Sequence, residues 1–167
     1  MTITLKFVSE NEDYFKSFLL NKIIKNKGKT CYISFNKSCN SIREDIIEKV
    51  DIDKFYSIDA ITKLLKEPVN NNKCKFISPY EIEEIKETTK DFVKKGCNLI
   101  IFDSLSNLLV YEQMIPAGAG IIVKFINEIN HGLMKKEGEI IFICKLKDRK
   151  NLLIEETEKY IEKIKNA

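Results

Sequence analysis

Apolar residues fall in short β-rich runs separated by longer stretches with helical spacing. Ile3 to Val8 predicts a first strand. Phe15, Phe18, Leu19, Ile23 and Ile24 then recur close to helical intervals, predicting a helix from Tyr14 to Lys25 that Asn26-Lys-Gly28-Lys stops. Thr30 to Phe35 carries little polarity on either face, as a buried parallel strand does. Ser41 to Val50 predicts a helix with Ile42, Ile46 and Ile47 inward, and Lys54 to Ile58 a third strand ending at Asp59-Ala60. Asn70-Asn-Asn72 marks a loop before a short extended run, Cys74 to Ile77. Pro79 suits the first turn of a helix that runs to about Lys95 and stops at Gly96. Asn98 to Phe102 is a strongly apolar strand ending at Asp103, and Ile115 to Gly120 is a loop. A helix over Ile121 to Lys136, a buried strand over Glu139 to Leu146 and a last helix over Leu152 to Lys165 complete the pattern. Leu153, Tyr160, Ile161 and Ile164 share one face of that last helix.

Strands separated by helices predict an α/β fold of three layers, a mostly parallel sheet with helices on both faces. The pattern reads as a single domain over 1–167 with a C-terminal helix at about 152–165. Right-handed crossovers place every strand's C-terminal end on one edge, where open sheets bind ligands. The positions to search are therefore Val8-Ser9, Phe35-Asn36, Ile58-Asp59, Phe102-Asp103 and Cys144-Lys145.

Composition narrows the classes. With 167 residues, 44% hydrophobic and 32% charged, the chain is long and apolar enough for a real core. The net charge is +3, with Lys interleaved with Glu. That balance argues against nucleic acid as a partner. No run reaches the ~18 apolar residues of a membrane span. Met1 to Lys6 lacks the basic-then-apolar order of a signal peptide, so no membrane and a cytoplasmic location are expected. The five cysteines contain no C-x-x-C pair and there is one histidine, a poor pattern for zinc. Cys31, Cys74 and Cys144 sit in apolar runs and read as buried free thiols; the odd count fits a reducing compartment. His131 precedes Gly132 late in a helix, where an imidazole serves the last carbonyls.

Three strand ends together resemble a known family. Asn-Leu-Ile-Ile-Phe-Asp103-Ser-Leu-Ser106 looks like a Walker B strand, whose Asp orients Mg²⁺ through water. Its Asp-Ser-Leu-Ser ending is similar to RecA-like ATPases, particularly the KaiC-like branch. Thr30-Cys-Tyr-Ile-Ser-Phe-Asn36-Lys37-Ser38 and Tyr56-Ser-Ile-Asp59-Ala60 resemble that branch too. The resemblance covers most of the chain from Ile3 to about Leu146 and implies a RecA-like P-loop NTPase fold.

The departures shape the functional expectation. The family carries a G-x-x-x-x-G-K-[ST] loop after its first strand, whose backbone N–H groups wrap phosphates. Aligned on Lys16-Ser17, the first loop glycine becomes Glu10 and the last becomes Phe15. Lost glycine removes close backbone approach to an anion. Glu10, Glu12 and Asp13 add negative charge, and one like-charge pair at ~5 Å with an effective dielectric of ~20 repels by roughly 3 kcal/mol. The family's pair of Glu after the second strand, which polarises the attacking water, aligns with Asn36 and Lys37. Neither serves as a general base near neutral pH.

The resemblance thus implies a non-catalytic KaiC/RecA-like domain. It would bind or regulate through self-association or an intact ATPase partner, with no catalytic residue and no cofactor. Lys16, Ser17 and Asp103 are what remains of a nucleotide site, Asp103 meeting a metal only if nucleotide binds. The alternative is an ATP-binding protein or slow Mg-dependent ATPase with a remodelled loop. Other readings stay open: Asp103 as a helix N-cap, Asp59 as a turn or cap residue, and Lys145 as a sensor residue or a solvated strand exit. Leu108, Leu109, Val110 and Met114 form either an interaction surface or the underside of the next helix. Tyr14 and Phe15 are expected to turn into the site or the core and close it.

Overall fold

The apolar runs pair into one parallel sheet in a computed structural model that describes residues 2–69, 73–114, 119–133 and 137–166. Its strands are β1 (Thr2–Val8), β2 (Lys29–Ser34), β3 (Phe55–Asp59), β4 (Cys74–Phe76), β5 (Cys97–Asp103) and β6 (Glu139–Lys145). The spatial order is β1-β6-β5-β2-β3-β4, and every pairing is parallel. The expected "mostly parallel" sheet is therefore wholly parallel among the described residues.

Side chains alternate across each strand, so each face has its own core. On one face lie Cys31, Ile33, Ile100, Phe102, Ile140, Phe142 and Cys144. They are covered by α4 (Ile82–Lys94), α6 (Ala119–Leu133) and α7 (Leu152–Lys165). On the other lie Tyr32, Leu99, Ile101, Ile141 and Ile143. These are covered by a wide turn over Phe15–Leu19 that runs into α1 (Leu20–Lys25), and by α2 (Cys39–Ile46). Each fully buried Ile or Phe contributes about 1.5–3 kcal/mol over its exposed state. Two layers of such residues hold the strand ends in register. Short helices α3 (Thr62–Leu65) and α5 (Leu105–Leu108) follow β3 and β5.

Several expectations need correction. Ile46 is fully buried but Ile47, which continues the turn as the C-cap of α2, is 61% exposed. The four-residue α3 is absent from the expected elements. Helix α6 starts two residues earlier than expected, at Ala119. Pro79 lies in the turn before α4, not in its first turn. Cys74 is no free thiol: it is bonded to Cys39, while Cys31, Cys97 and Cys144 are buried and not disulfide-bonded. Leu108 is buried and Leu109 packs against the core, leaving Val110 exposed. The Met114 side chain, the loop over 115–118, the expected helix end over 134–136 and the Asn70-Asn-Asn72 loop lie outside the described residues. Among the described residues no helix is long and apolar enough to cross a membrane.

Two glycines do work that other residues cannot. Gly138 has no room for a Cβ, which would sit 2.8 Å from Leu133 Cδ2 and 3.0 Å from the Asn98 carbonyl oxygen. Gly96 follows α4 with φ +103° and donates its N–H to the Val93 carbonyl, turning the chain directly into β5. An L side chain at such a φ is strained. Gly96→Ala should cost about 1–2 kcal/mol. A urea denaturation midpoint unchanged by the substitution would contradict this.

Candidate functional site

Strands β2 and β5 are neighbours, but the chain leaves β2 toward β3 and leaves β5 toward β6. Their C-terminal ends therefore flank the point where strand order reverses, the place where open sheets form a crevice. Asp103 is the last residue of β5 and shares the alternation of Leu99 and Ile101. It faces the α1 and α2 side and is 1% exposed.

A buried carboxyl needs donors, and three segments supply them. Tyr14, just ahead of the turn into α1, donates its hydroxyl to Asp103 Oδ1 at 2.7 Å. Tyr32, within β2, donates its hydroxyl to Oδ2. Asn36, past the end of β2, gives its side-chain N–H to Tyr14 Oη at 2.8 Å and to Asp103 Oδ1 at 3.3 Å. Burial pushes the Asp103 carboxyl above the usual carboxylate range; the Tyr32, Tyr14 and Asn36 hydrogen bonds and the Lys37 charge pull it back down. Burial, then the Asp103 charge, pushes the Tyr14 and Tyr32 hydroxyls well up, so both remain donors.

Phe15 and Lys37 meet beside this set. Phe15 is 4% exposed and packs edge-on to Tyr32, with ring centroids 6.1 Å apart. Lys37 Nζ lies 4.6 Å from the centre of the Phe15 ring and 3.3 Å from Asp45 Oδ2. The Lys37 N–H is held by Ser34 Oγ at 2.9 Å, which fixes the turn after β2.

The acidic stretch after β1 is internally satisfied. Glu10 pairs with Lys147, which holds its carboxyl below the usual range. Glu12 accepts the Ser9 N–H at 3.3 Å. Asp13 Oδ1 accepts the Lys16 N–H at 3.3 Å, and the Asp13 carbonyl accepts the Ser17 N–H at 3.0 Å. The start of this helix thus already carries a carboxylate of its own. Lys16 is 73% exposed and pairs with Asp13, and Ser17 is exposed. Neither hydrogen-bonds to Asp103 among the described contacts, so the three remnants of the expected site do not converge.

The other expected positions have plain roles. Asp59 is fully buried and accepts from the backbone of Cys39, Ile61 and Thr62 at 2.8–2.9 Å and from the Thr62 hydroxyl at 2.6 Å, the turn-and-cap role expected. Asp103 is not the N-cap of α5; after a cis Asp103–Ser104 peptide bond, Ser104 takes that role by accepting the Asn107 N–H. The Lys145 N–H binds Ser106 Oγ at 2.7 Å, tying β6 to α5. His131 is exposed in the last turn of α6, on the face opposite Asp103. Among the described residues no group of three His, Cys, Asp or Glu is placed to hold a metal ion. The residue missed in the sequence is Tyr32. Its signal was a hydroxyl inside an otherwise apolar strand.

Six parallel strands with helices on both faces, and strand order reversing between β2 and β5, define the RecA-like α/β fold. The chain is similar to a KaiC-like protein from the hyperthermophilic archaeon Pyrococcus horikoshii OT3: TM-score 0.51, 11% identity, 86% of this chain and 61% of that one. It is also similar to the RadB recombinase: TM-score 0.53, 12% identity, 90% of this chain and 65% of that one. The chain thus spans less than two thirds of either protein's length, and at these identities the likeness is one of fold. No protein-family model matches the sequence, and no curated protein does.

Two outcomes follow from the buried carboxyl. Tyr14→Phe removes one donor while the ring stays, and should destabilise the fold by about 1–3 kcal/mol in a chemical melt. The pH dependence has a definite sign. Asp103 titrates higher folded than unfolded, so its stabilising contribution is complete below about pH 4 and is lost as pH rises through the folded value. Asp103→Asn does not titrate. The stability of the wild type minus that of the variant should therefore fall as pH rises, and a difference that grows would refute the assignment.

Proposed function

We propose that the chain is a non-catalytic RecA/KaiC-like domain, a pseudoenzyme that acts as a binding or regulatory module. Its partner is a second copy of itself or an intact ATPase of the same fold. One observation carries this reading: Tyr14 and Asn36 occupy one oxygen of Asp103 and Tyr32 the other. In the resemblance, Phe15 stands for the last glycine of the phosphate loop, and Asn36 and Lys37 stand for the water-polarising carboxylates. These replacements touch one another across the crevice instead of leaving it open.

The residues present do not fit a Mg²⁺-bound triphosphate. Phosphate binding at a helix start needs free N–H groups and a positive end. Here Asp13 takes the Lys16 and Ser17 N–H groups, and Lys16 turns to Asp13. Asp103 has no oxygen free of protein donors. A scaffold kept whole while its crevice is filled is left with its surface to work with. Binding of ATP by a remodelled loop, the competing reading, would require Phe15 to leave the core and Tyr14 to leave Asp103.

Purified protein with ATP and Mg²⁺ is expected to release phosphate no faster than Asp103→Ala does. Calorimetric titration with millimolar ATP or ADP and Mg²⁺ is expected to give no heat of binding. Turnover that disappears in Asp103→Ala would end this reading, and heat without turnover would favour the competing one. Sedimentation of the isolated chain separates the two kinds of partner: a concentration-dependent oligomer indicates self-association.

A further inference from the structure

Cys39 and Cys74 lie 35 residues apart in sequence, yet the fold brings their Cα atoms to 6.4 Å, within disulfide range. Cys39 opens α2, and Cys74 opens β4. Strand β4 is the last in the sheet, and its ladder is three residues long, Cys74 to Phe76 against Ser57 to Asp59. Nearby, Leu65 and Val69 are 79% and 87% exposed. A short edge strand beside exposed apolar residues is weakly held by packing. The bond to Cys39 is what ties it to a helix.

We propose that Cys39 and Cys74 form a reversible thiol–disulfide exchange site whose redox state decides whether edge strand β4 is locked or released. This goes beyond the non-catalytic reading and does not depend on it. The reactant class is a dithiol. Cys74 and not Cys39 lines a cleft of about 330 Å³ at the sheet edge, together with Ser38, Asp59, Thr62, Val69 and Phe76. One thiolate of the dithiol attacks the Cys74 sulfur; the Cys39–Cys74 bond breaks, and its electron pair leaves on Cys39. The second thiolate of the dithiol then attacks the mixed disulfide and frees Cys74. The dithiol is oxidised to a disulfide, the protein pair is reduced by two electrons, and the dithiol's two protons end on Cys39 and Cys74. Cys39 is suited to leave. It sits at the positive end of α2, with the Ser57 hydroxyl 2.8 Å from its sulfur. Cys31, Cys97 and Cys144 take no part: none is disulfide-bonded and none lines the cleft.

The consequence is local. Once reduced, β4 is held by its ladder to β3 and by the buried Ile77 that follows it. Strand β4, Cys74 to Phe76, then opens more often than the core strands.

Thiol counting on protein purified without reductant and unfolded in denaturant tests the bond itself. Three reactive thiols are expected, those of Cys31, Cys97 and Cys144; five would overturn the proposal. Limited trypsin digestion of the native protein tests the release. Cleavage at Lys66 or Lys75 should accelerate about tenfold or more with dithiothreitol and return to its first rate on reoxidation, with sites on α4 and α6 unchanged. Cys39→Ser without reductant should cleave at the reduced rate and gain nothing from dithiothreitol. If that variant does not fold, the reduced and reoxidised wild type decides alone. Equal cleavage in both redox states, or acceleration at every site together, would overturn the proposal.

Discussion

A carboxyl group at the end of a strand buried on both faces is costly unless donors reach it. Asp103 is that group, and it has no backbone donor among the contacts described. Its donors are side chains from the loop after β1, from the interior of β2 and from the turn after β2. Satisfying one residue therefore fixes three segments relative to β5. Tyr14 sits where it does because its hydroxyl has a buried acceptor to reach. Phe15, the next residue, is then carried onto the Tyr32 ring. The placement of Tyr14 and Phe15 at the crevice follows from this single requirement more than from any property of the loop itself.

The charge on the loop has a different meaning in three dimensions from the one its sequence suggests. Three carboxylates in four positions read as repulsion toward phosphate. In the fold each has its own partner: Lys147 for Glu10, the Ser9 N–H for Glu12, and the Lys16 N–H for Asp13. Repulsion is thus the lesser obstacle. The greater one is occupancy, because the N–H groups and the Asp103 oxygens that an anion or a cation would need are already bonded. Exposed pairs such as Lys16 with Asp13 contribute little stability by themselves. The buried Tyr14–Asp103–Tyr32 set is the part that resists opening.

Most of the fold was legible in the sequence because two patterns carry it. Short continuous apolar runs mark the strands and helical spacing marks the helices, and Gly96 and Asn26-Lys-Gly28 mark the stops. Where an element is too short to show a pattern, the sequence falls silent, as at the four-residue α3; at Ile47, one residue past the end of α2, it points inward where the fold points out. The strand-end positions were legible for the same reason, and Asp59, Asp103, Asn36 and Phe15 all lie where the topology places them. What could not be read is pairing across the chain. Tyr32 looks like core until β2 is laid beside β5 in register, with Ile101 opposite it. Cys39 and Cys74 look unrelated until β4 joins β3 and α2 folds back over it. Contacts between residues 35 or 71 apart depend on strand order, which local pattern does not specify.

Asp59 and Asp103 show how two strand-end carboxyls of one scaffold can be satisfied in different ways. Both are buried and both end a parallel strand two places apart in the sheet. Asp59 is bonded mainly by backbone N–H groups, so its partners are set by the course of the chain through Cys39, Ile61 and Thr62. Among the described contacts the Asp103 carboxyl is bonded by side chains alone, so its partners depend on which residues occupy positions 14, 32 and 36. Substitution at those positions changes what the crevice can hold and leaves the strand ladder untouched. Conversely, the coupling of Tyr14 to Asn36 and of Phe15 to Lys37 means that changing one position alone would strand its partner: a half-buried amide without its hydroxyl, or a lysine without its ring. The fold is therefore a property of the backbone and the apolar layers, while the chemistry of the site is a property of a few interlocked side chains. Likeness of fold at 11–12% identity speaks to the first and leaves the second to be read from the residues themselves.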